Sequence, residues 1–349
     1  MLMTQAGTNG SSPSTAAARR SDDQPSRSAR GLHFADAVRE RIAQTVVGQE
    51  VVVERTLIAL LTGGHLLLEG MPGLAKTLLV SSVAKAVDLK FGRVQFTVDL
   101  LPSDVTGSEI LDAASGQFRV HRGPIFTNLL LADEINRAAP KVQSALLEAM
   151  QERRVTIGNA ATPLPKPFLV IATQNPVEQA GTFELPEAQL DRFMLCHRLS
   201  YPNAEDELQI LQRSLGVPMK EDGDNATPGS LFDALDGQSA VASLEDLHDA
   251  MRRAREVHVS EAFLRHAIDL IGATRSHPSL AFGVSPRGGI AMGKAAQARA
   301  FLHGRDHVLP EDLVELAEDV LLHRMRVTYA AAAEGTTSRD VLRDLIAAL

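Results

Sequence analysis

The sequence predicts an α/β fold built on a parallel sheet and followed by an all-helical domain. Three observations carry that expectation. Short apolar runs alternate with helical patterns between residues 33 and 201, one of those runs enters a Gly-rich turn that opens a helix, and beyond Pro202 only helical periodicity remains. Strands that are apolar on both faces and alternate with helices mark a sheet covered on each side.

The elements follow in order. Residues 1–32 are rich in Ser, Ala, Gly and Arg and almost devoid of large apolar side chains. So little buriable surface cannot offset the entropy of ordering, and this tail is expected to be disordered. From His33 the pattern changes: Phe34, Val38, Ile42 and Val46 recur at four-residue spacing, the stripe of an amphipathic helix. A second helix follows Gly48 and runs from Val51 to Leu61. Leu66-Leu67-Leu68 is the first strand, turning through Gly70–Gly73 into a helix that begins near Lys76. Further strands are expected at Val94–Val98, Asn128–Ala132, Phe168–Thr173 and Phe193–Leu199, with the clearest helix between them at Lys141–Gln151. Residues 33–201 thus form the α/β core. Residues 202–349 form the second domain, with helices at Ala204–Leu215, Leu244–Val257, Glu261–Thr274, Arg287–Leu302 and Pro310–His323. Val217–Gly237, with its Gly, Pro, Asp and Asn, reads as a linker or loop.

Composition narrows the function. The 349 residues accommodate two domains and a tail at roughly 150 residues per domain. A net charge of -8 argues against a general nucleic-acid binder, which needs surplus Lys and Arg to neutralise phosphates. The absence of Trp and the presence of two Tyr leave little for a base-stacking platform. One cysteine, Cys196, admits no intrachain disulfide and reads as a buried strand residue. No apolar run approaches the ~20 residues that span a bilayer, and no secretory signal is evident, so a cytoplasmic location without membrane insertion is expected. The eleven histidines lack metal-ligand spacing.

The strongest local signal is Gly70-Met71-Pro72-Gly73-Leu74-Ala75-Lys76-Thr77, with Leu78 next. It matches a phosphate-cradling loop at every defined position but one: Ala75 stands where the pattern has its second glycine. Such a substitution is tolerated if the position keeps φ below zero. Backbone N–H groups and the following helix N-terminus wrap phosphates, Lys76 reaches the β- and γ-phosphates, and Thr77 holds Mg²⁺. The apolar strand Leu129–Ala132 runs straight into Asp133-Glu134. Asp133 suits the Mg²⁺ shell, and Glu134 suits the base that polarises an attacking water. A third strand, Leu169–Thr173, delivers Gln174-Asn175-Pro176 to the same carboxyl edge, where the Asn175 amide can fix that water. Ligands of open α/β sheets bind at that edge, and all three motifs converge on it. ATP and Mg²⁺ are the cofactors these residues imply.

Motif order and several strings resemble the MoxR family of AAA+ ATPases. The strings are Val47-Gly48-Gln49-Glu50, Gly70–Thr77, Phe96-Thr-Val-Asp-Leu-Leu-Pro-Ser-Asp104, Gly123-Pro-Ile-Phe-Thr-Asn128 and Leu131-Ala-Asp-Glu-Ile-Asn-Arg137, together with Ala172-Thr-Gln-Asn-Pro176, Leu185-Pro-Glu-Ala-Gln-Leu-Asp-Arg-Phe193 and Ser285-Pro-Arg287. The similarity covers about residues 33–330. It implies a P-loop core with a helical lid, an adenine pocket near Val47, Gly48 and Gln49, and an arginine finger at Arg192 that reaches the neighbouring subunit's γ-phosphate. It also implies a second phosphate-sensing arginine at Arg287, in its own site or across the interface. Acids close to Arg192 in sequence (Asp191, Glu187, Glu184) leave an ordinary ion pair as its alternative role. Leu101–Gln117, returning through Phe118–His121, resembles an insert of this clade, and Arg153–Pro167 resembles a hairpin turning at Gly158-Asn159.

The resemblance further implies a homo-oligomeric ring, a hexamer, and a chaperone-like output on client proteins, often ones with von Willebrand factor A domains. The alternative is the motor subunit of a metal-chelatase complex. A nucleic-acid motor fits the acidic balance poorly, and a non-hydrolysing nucleotide sensor fits poorly with Lys76, Asp133, Glu134, Asn175 and Arg192 all present.

Overall fold

The computed structural model describes residues 27–71, 73–112, 116–158, 160–176, 181–215 and 239–349. The sequence expectations for residues 1–26, Pro72, Asn159 and Val217–Gly237 lie outside the described residues. Five parallel strands form the sheet in the order β2-β5-β8-β1-β9: β1 is Leu66–Glu69, β2 Phe91–Gln95, β5 Leu129–Asp133, β8 Leu169–Gln174 and β9 Leu195–Arg198. Because every pairing is parallel, the carboxyl ends of all five strands share one edge. Side chains alternate across the sheet with period two. Leu66, Leu68, Leu129, Leu131 and Ile171 join one apolar cluster, while Leu67, Leu130, Ala132, Val170 and Ala172 join the other.

Helices α1 (Arg27–Ala43), α2 (Glu50–Thr62) and α3 (Lys76–Ala86) cover the first face, and α5 (Pro140–Glu152) covers the second. A short α4 (Pro102–Thr106) leads into the hairpin β3 (Gly107–Asp112) and β4 (Gln117–Arg122). A second hairpin pairs β6 (Arg154–Ile157) with β7 (Ala160–Pro163). These are the two inserts expected from sequence. After α6 (Glu187–Leu190) and β9 the chain leaves the sheet through α7 (Ala204–Leu215). The lid then comprises α8 (Leu244–Glu256), α9 (Glu261–Ser276), α10 (Pro286–Leu302), α11 (Pro310–Leu321), α12 (Tyr329–Ala333) and α13 (Ser338–Ala347).

Three expectations are corrected. The second strand is Phe91–Gln95, not Val94–Val98: Val94 and Phe96 are buried, but Val98 is 65% exposed and lies beyond the strand. The first helix begins at Arg27, so residues 27–32 are not part of a disordered tail. The lid is not wholly helical, because β10 (Leu280–Phe282) pairs antiparallel with β11 (Arg326–Val327).

Core and lid share one apolar cluster that runs from α1 and α2 into α10 and α11. Buried charges reinforce the join. The Arg55 side chain on α2 is 3% exposed and donates to Asp319 of α11, whose other oxygen meets His197 Nδ1 of β9 at 2.9 Å. Within the lid, the fully buried Asp312 accepts from Arg299 at 2.5 Å and from both Arg305 Nη atoms at 2.8 and 2.7 Å.

Candidate active site

At the carboxyl edge, register brings the motifs together. Glu69 pairs with Gln174, and Ala132 with Ala172, so the loop after β1 and the acids ending β5 flank the exit of β8. Gly70 donates its N–H to Gln174 O, and a Cβ there would meet Leu199 at 2.8 Å, so the chain can leave the strand at that point only without a side chain. Gly73 has φ +89, and a Cβ on it would meet nothing within 4 Å.

Ala75 departs from the condition set by its sequence. Its φ is +50 and its ψ 27, left-handed backbone directly before α3, rather than φ below zero. That conformation costs an L-residue about 1–2 kcal/mol, and it explains why the pattern carries glycine there. Lys76 Nζ donates to Gly70 O at 2.8 Å. Burial lowers the Lys76 pKa, partly opposed by the negative charges of Asp133 and Glu134. The Thr77 side chain is half-buried, whereas Leu78 is packed in the core and offers the site only its backbone.

Side chains that sequence reading did not single out hold the two acids. Thr173 Oγ1 donates to Asp133 Oδ1 at 2.7 Å and accepts the Glu134 N–H at 2.9 Å. Arg93 Nη2 lies 2.7 Å from Asp133 Oδ2. Glu134 has φ +55 and projects its carboxylate to Gln95 Nε2 and Arg137 Nε, each at 2.9 Å. Asn175 is buried and shares a cavity with Gln174, Asn136 and Glu184. This donor set fits a magnesium triphosphate: an open glycine cradle, a lysine, a threonine hydroxyl and paired carboxylates at one sheet edge.

Val47, Gly48 and Gln49 form the turn between α1 and α2. Gly48 has φ +68, and a Cβ there would collide with the Asp206 carboxylate of α7 at 2.4 Å, so this turn is closed by the first helix after the sheet.

Arg192 and Arg287 lie elsewhere, together, in a cavity of about 260 Å³ that Asp191, Ile290, Lys294 and Arg324 also line. Its floor is Gly64 and His65, which precede β1, and Met194, which precedes β9 and donates its N–H to His65 O at 2.8 Å. The cavity therefore opens at the amino ends of the strands. From His65 to Gly70 the chain climbs roughly 17 Å at about 3.3 Å per residue, more than an arginine side chain spans. Among the described residues Arg192 makes no ion pair. Asp191 is taken by Arg324 at 2.8 Å and faces Arg287 at 3.8 Å, and Glu187 is taken by Arg326. The Arg192 Nε is buried without a hydrogen-bond partner.

A glycine-rich loop between strand and helix, an acid-terminated strand and a polar strand exit, in a core joined to a helical lid, define a P-loop ATPase of the AAA+ class. Residues 65–195 match the ATPase family associated with various cellular activities (AAA), and residues 272–345 match the AAA lid domain. The chain is 43% identical over 310 residues to an uncharacterised Bacillus subtilis protein, YeaC (89% of this chain and 92% of that one). It is 40% identical over 324 residues to the chaperone MoxR1 of Mycobacterium tuberculosis, covering 90% of this chain and 81% of the relative. Protein MoxR of Paracoccus denitrificans is 33% identical over 82% of this chain and 86% of its own length. A crystal structure of a candidate ATPase from Cytophaga hutchinsonii superposes with a TM-score of 0.80 at 41% identity, covering 92% of this chain and 96% of that one. The chain belongs to the MoxR family of AAA+ ATPases.

Proposed function

We propose that this chain is an ATP hydrolase that works as a closed ring, each active site being built from two neighbouring subunits, and that it remodels partner proteins. The observation that carries the reading is the placement of Arg192: without an ion pair among the described residues, with a buried orphan Nε, at the opposite sheet edge from Lys76. A guanidinium held away from its own triphosphate but matched to phosphate oxygens suits a site on an adjoining copy. Arg287 shares that cavity, which supports action across the same interface.

Within one site, Lys76 and the loop amides of Gly70–Thr77 bind the triphosphate, and Thr77 with Asp133 would hold the Mg²⁺. When bound, the ion neutralises charge on the β- and γ-phosphates. Glu134 takes the proton of the attacking water and Asn175 orients it. Gln95 and Arg137 hold the Glu134 carboxylate at a fixed bearing. The core extends through residue 201 and the lid from residue 202. The output proposed for this core and lid is mechanical. The name of the mycobacterial relative, a chaperone, supports that output. The client class follows from family resemblance and includes proteins with von Willebrand factor A domains. Among the described residues no helix is long and apolar enough to cross a membrane.

The test is a set of single variants. Lys76→Ala is expected to lose nucleotide binding, and Glu134→Gln to bind ATP, assemble and not turn over. Arg192→Ala is expected to retain ATP binding and lose on the order of 10³-fold in turnover. Wild-type turnover by Arg192→Ala at every protein concentration would overturn the shared-site reading.

A further inference from the structure

We propose that Asp191 is a positioning residue for the neighbouring subunit's active site, holding Arg192 and Arg287 in register through one buried lid arginine, Arg324. The proposal rests on the reading that both arginines act across the subunit interface.

Asp191 lies at the end of α6 and meets three elements at once. Ser285 Oγ donates to both of its carboxylate oxygens at 3.0 Å, Arg324 Nε donates to Oδ1 at 2.8 Å, and Arg287 Nη1 approaches Oδ2 at 3.8 Å. Ser285 is also the N-cap of α10 and accepts the Arg287 N–H at 3.2 Å. The carboxylate therefore fixes the start of the helix that carries Arg287 and faces that residue's guanidinium.

Its hold on Arg192 runs through the backbone. Arg324 Nη2 donates to Asp191 O at 3.4 Å and Phe193 O at 2.6 Å, the carbonyls on either side of Arg192, and Nη1 reaches Met194 O at 3.3 Å. His323 Nε2 makes a second bond to Phe193 O at 3.2 Å. The Arg324 side chain is 2% exposed, so this clamp is shielded from water. Its stem passes 3.1 Å from where a Cβ on Gly288 would sit, in the first turn of α10. The loop bearing Arg192 and the helix bearing Arg287 are thus two arms of one fixture. Asp191 is the anion that orients the fixture's central cation, while among the described residues Arg192 itself makes no ion pair and its Nε has no hydrogen-bond partner. The arrangement separates the two tasks: the carboxylate beside the finger binds a lid arginine and leaves the finger free for phosphate.

The experiment is subunit complementation with the full chain. Asp191→Asn keeps the side-chain shape and removes the charge. Alone, it is expected to bind a fluorescent ATP analogue and assemble as wild type does, keep its KM, and lose about 10- to 100-fold in kcat, the size of effect that displacing a reacting group by about 1 Å produces. Mixed in equal amounts with Glu134→Gln, which supplies intact arginines but cannot hydrolyse, Asp191→Asn gains wild-type neighbours. Random assembly then completes about a quarter of the sites, and turnover returns to about that fraction of wild type. A folding defect, or a role of Asp191 in its own subunit's site, does not recover on mixing. Arg192→Ala mixed with Glu134→Gln is the control. Recovery by Arg192→Ala without recovery by Asp191→Asn overturns this proposal alone, and failure of both mixtures overturns the shared-site reading and the proposal with it. Wild-type kcat in Asp191→Asn also overturns it. Ser285→Ala, which removes the hydroxyl bridge to Asp191 together with the cap bond to the Arg287 N–H, is expected to lower kcat in the same direction and to recover on mixing. It serves where Asp191→Asn fails to assemble, and there an unchanged kcat refutes the assignment.

Discussion

Acid should weaken this fold through one histidine by a predictable amount. His65 is 5% exposed, accepts the Val170 N–H on Nδ1 at 3.0 Å and donates from Nε2 to Met150 O at 3.2 Å. Only the neutral ring satisfies both partners, since a proton on Nδ1 removes the acceptor that Val170 requires. Burial, and secondarily the positive charge of Arg153, lower its pKa from 6.5 to about 3. With the folded value depressed, the contribution is complete above pH 6.5 and is lost as pH falls towards 3, because the unfolded chain takes up the proton first. Each unit of pH in that window is worth about 1.4 kcal/mol, so at pH 5 the loss is about 2 kcal/mol. Urea unfolding of wild type and His65→Gln at pH 7 and pH 5 isolates the effect. Glutamine is neutral throughout and carries its own donor and acceptor, so its variant should lose about 2 kcal/mol less between the two pH values. Carboxylates and His323, whose buried ring also resists protonation, contribute equally to both proteins and cancel. Parallel pH dependences would refute the reasoning.

Other outcomes follow from the same coordinates. Ala75→Gly removes a left-handed alanine worth about 1–2 kcal/mol and loosens the unfolded chain by about 0.4–1 kcal/mol, for a net gain of about 0.5–1 kcal/mol in chemical denaturation with ATP affinity retained. Ala75→Val, β-branched at the same φ, should lower both stability and affinity in the same two assays. Asp312→Ala strips the shared anion from Arg299 and Arg305 and should cost about 3–5 kcal/mol, read as a lower denaturation midpoint of the lid.

The legible parts of this molecule were those written in contiguous residues. Leu66–Leu68 and Leu129–Ala132 are apolar on both faces because both faces are covered, and the strands were placed within a residue or so. β2 departs from its sequence expectation because it is an edge strand. Arg93 and Gln95 are exposed on it, and the apolar density peaks at Phe96, past its end. The β10–β11 ribbon joins segments more than forty residues apart and has only three and two residues per strand, too short for a period to register. The same distance effect governs the site. Lys76, Asp133 and Glu134 announce themselves by spacing, but Gln95 becomes the neighbour of Asp133 only through parallel register. Thr173 reaches Asp133 across forty positions, and Arg324 reaches Asp191 across 133. The φ of Ala75 was equally hidden, since sequence names the residue and not the torsion it must adopt.

The separation of Arg192 from Lys76 across the sheet has an arithmetical consequence under the proposed reading. An open row of n subunits contains n − 1 competent junctions, a lone chain contains none, and circularisation adds one more without any new kind of contact. Dilution would then act as an off switch, silencing turnover by dispersing the halves of each junction while leaving every chain folded and able to bind its nucleotide.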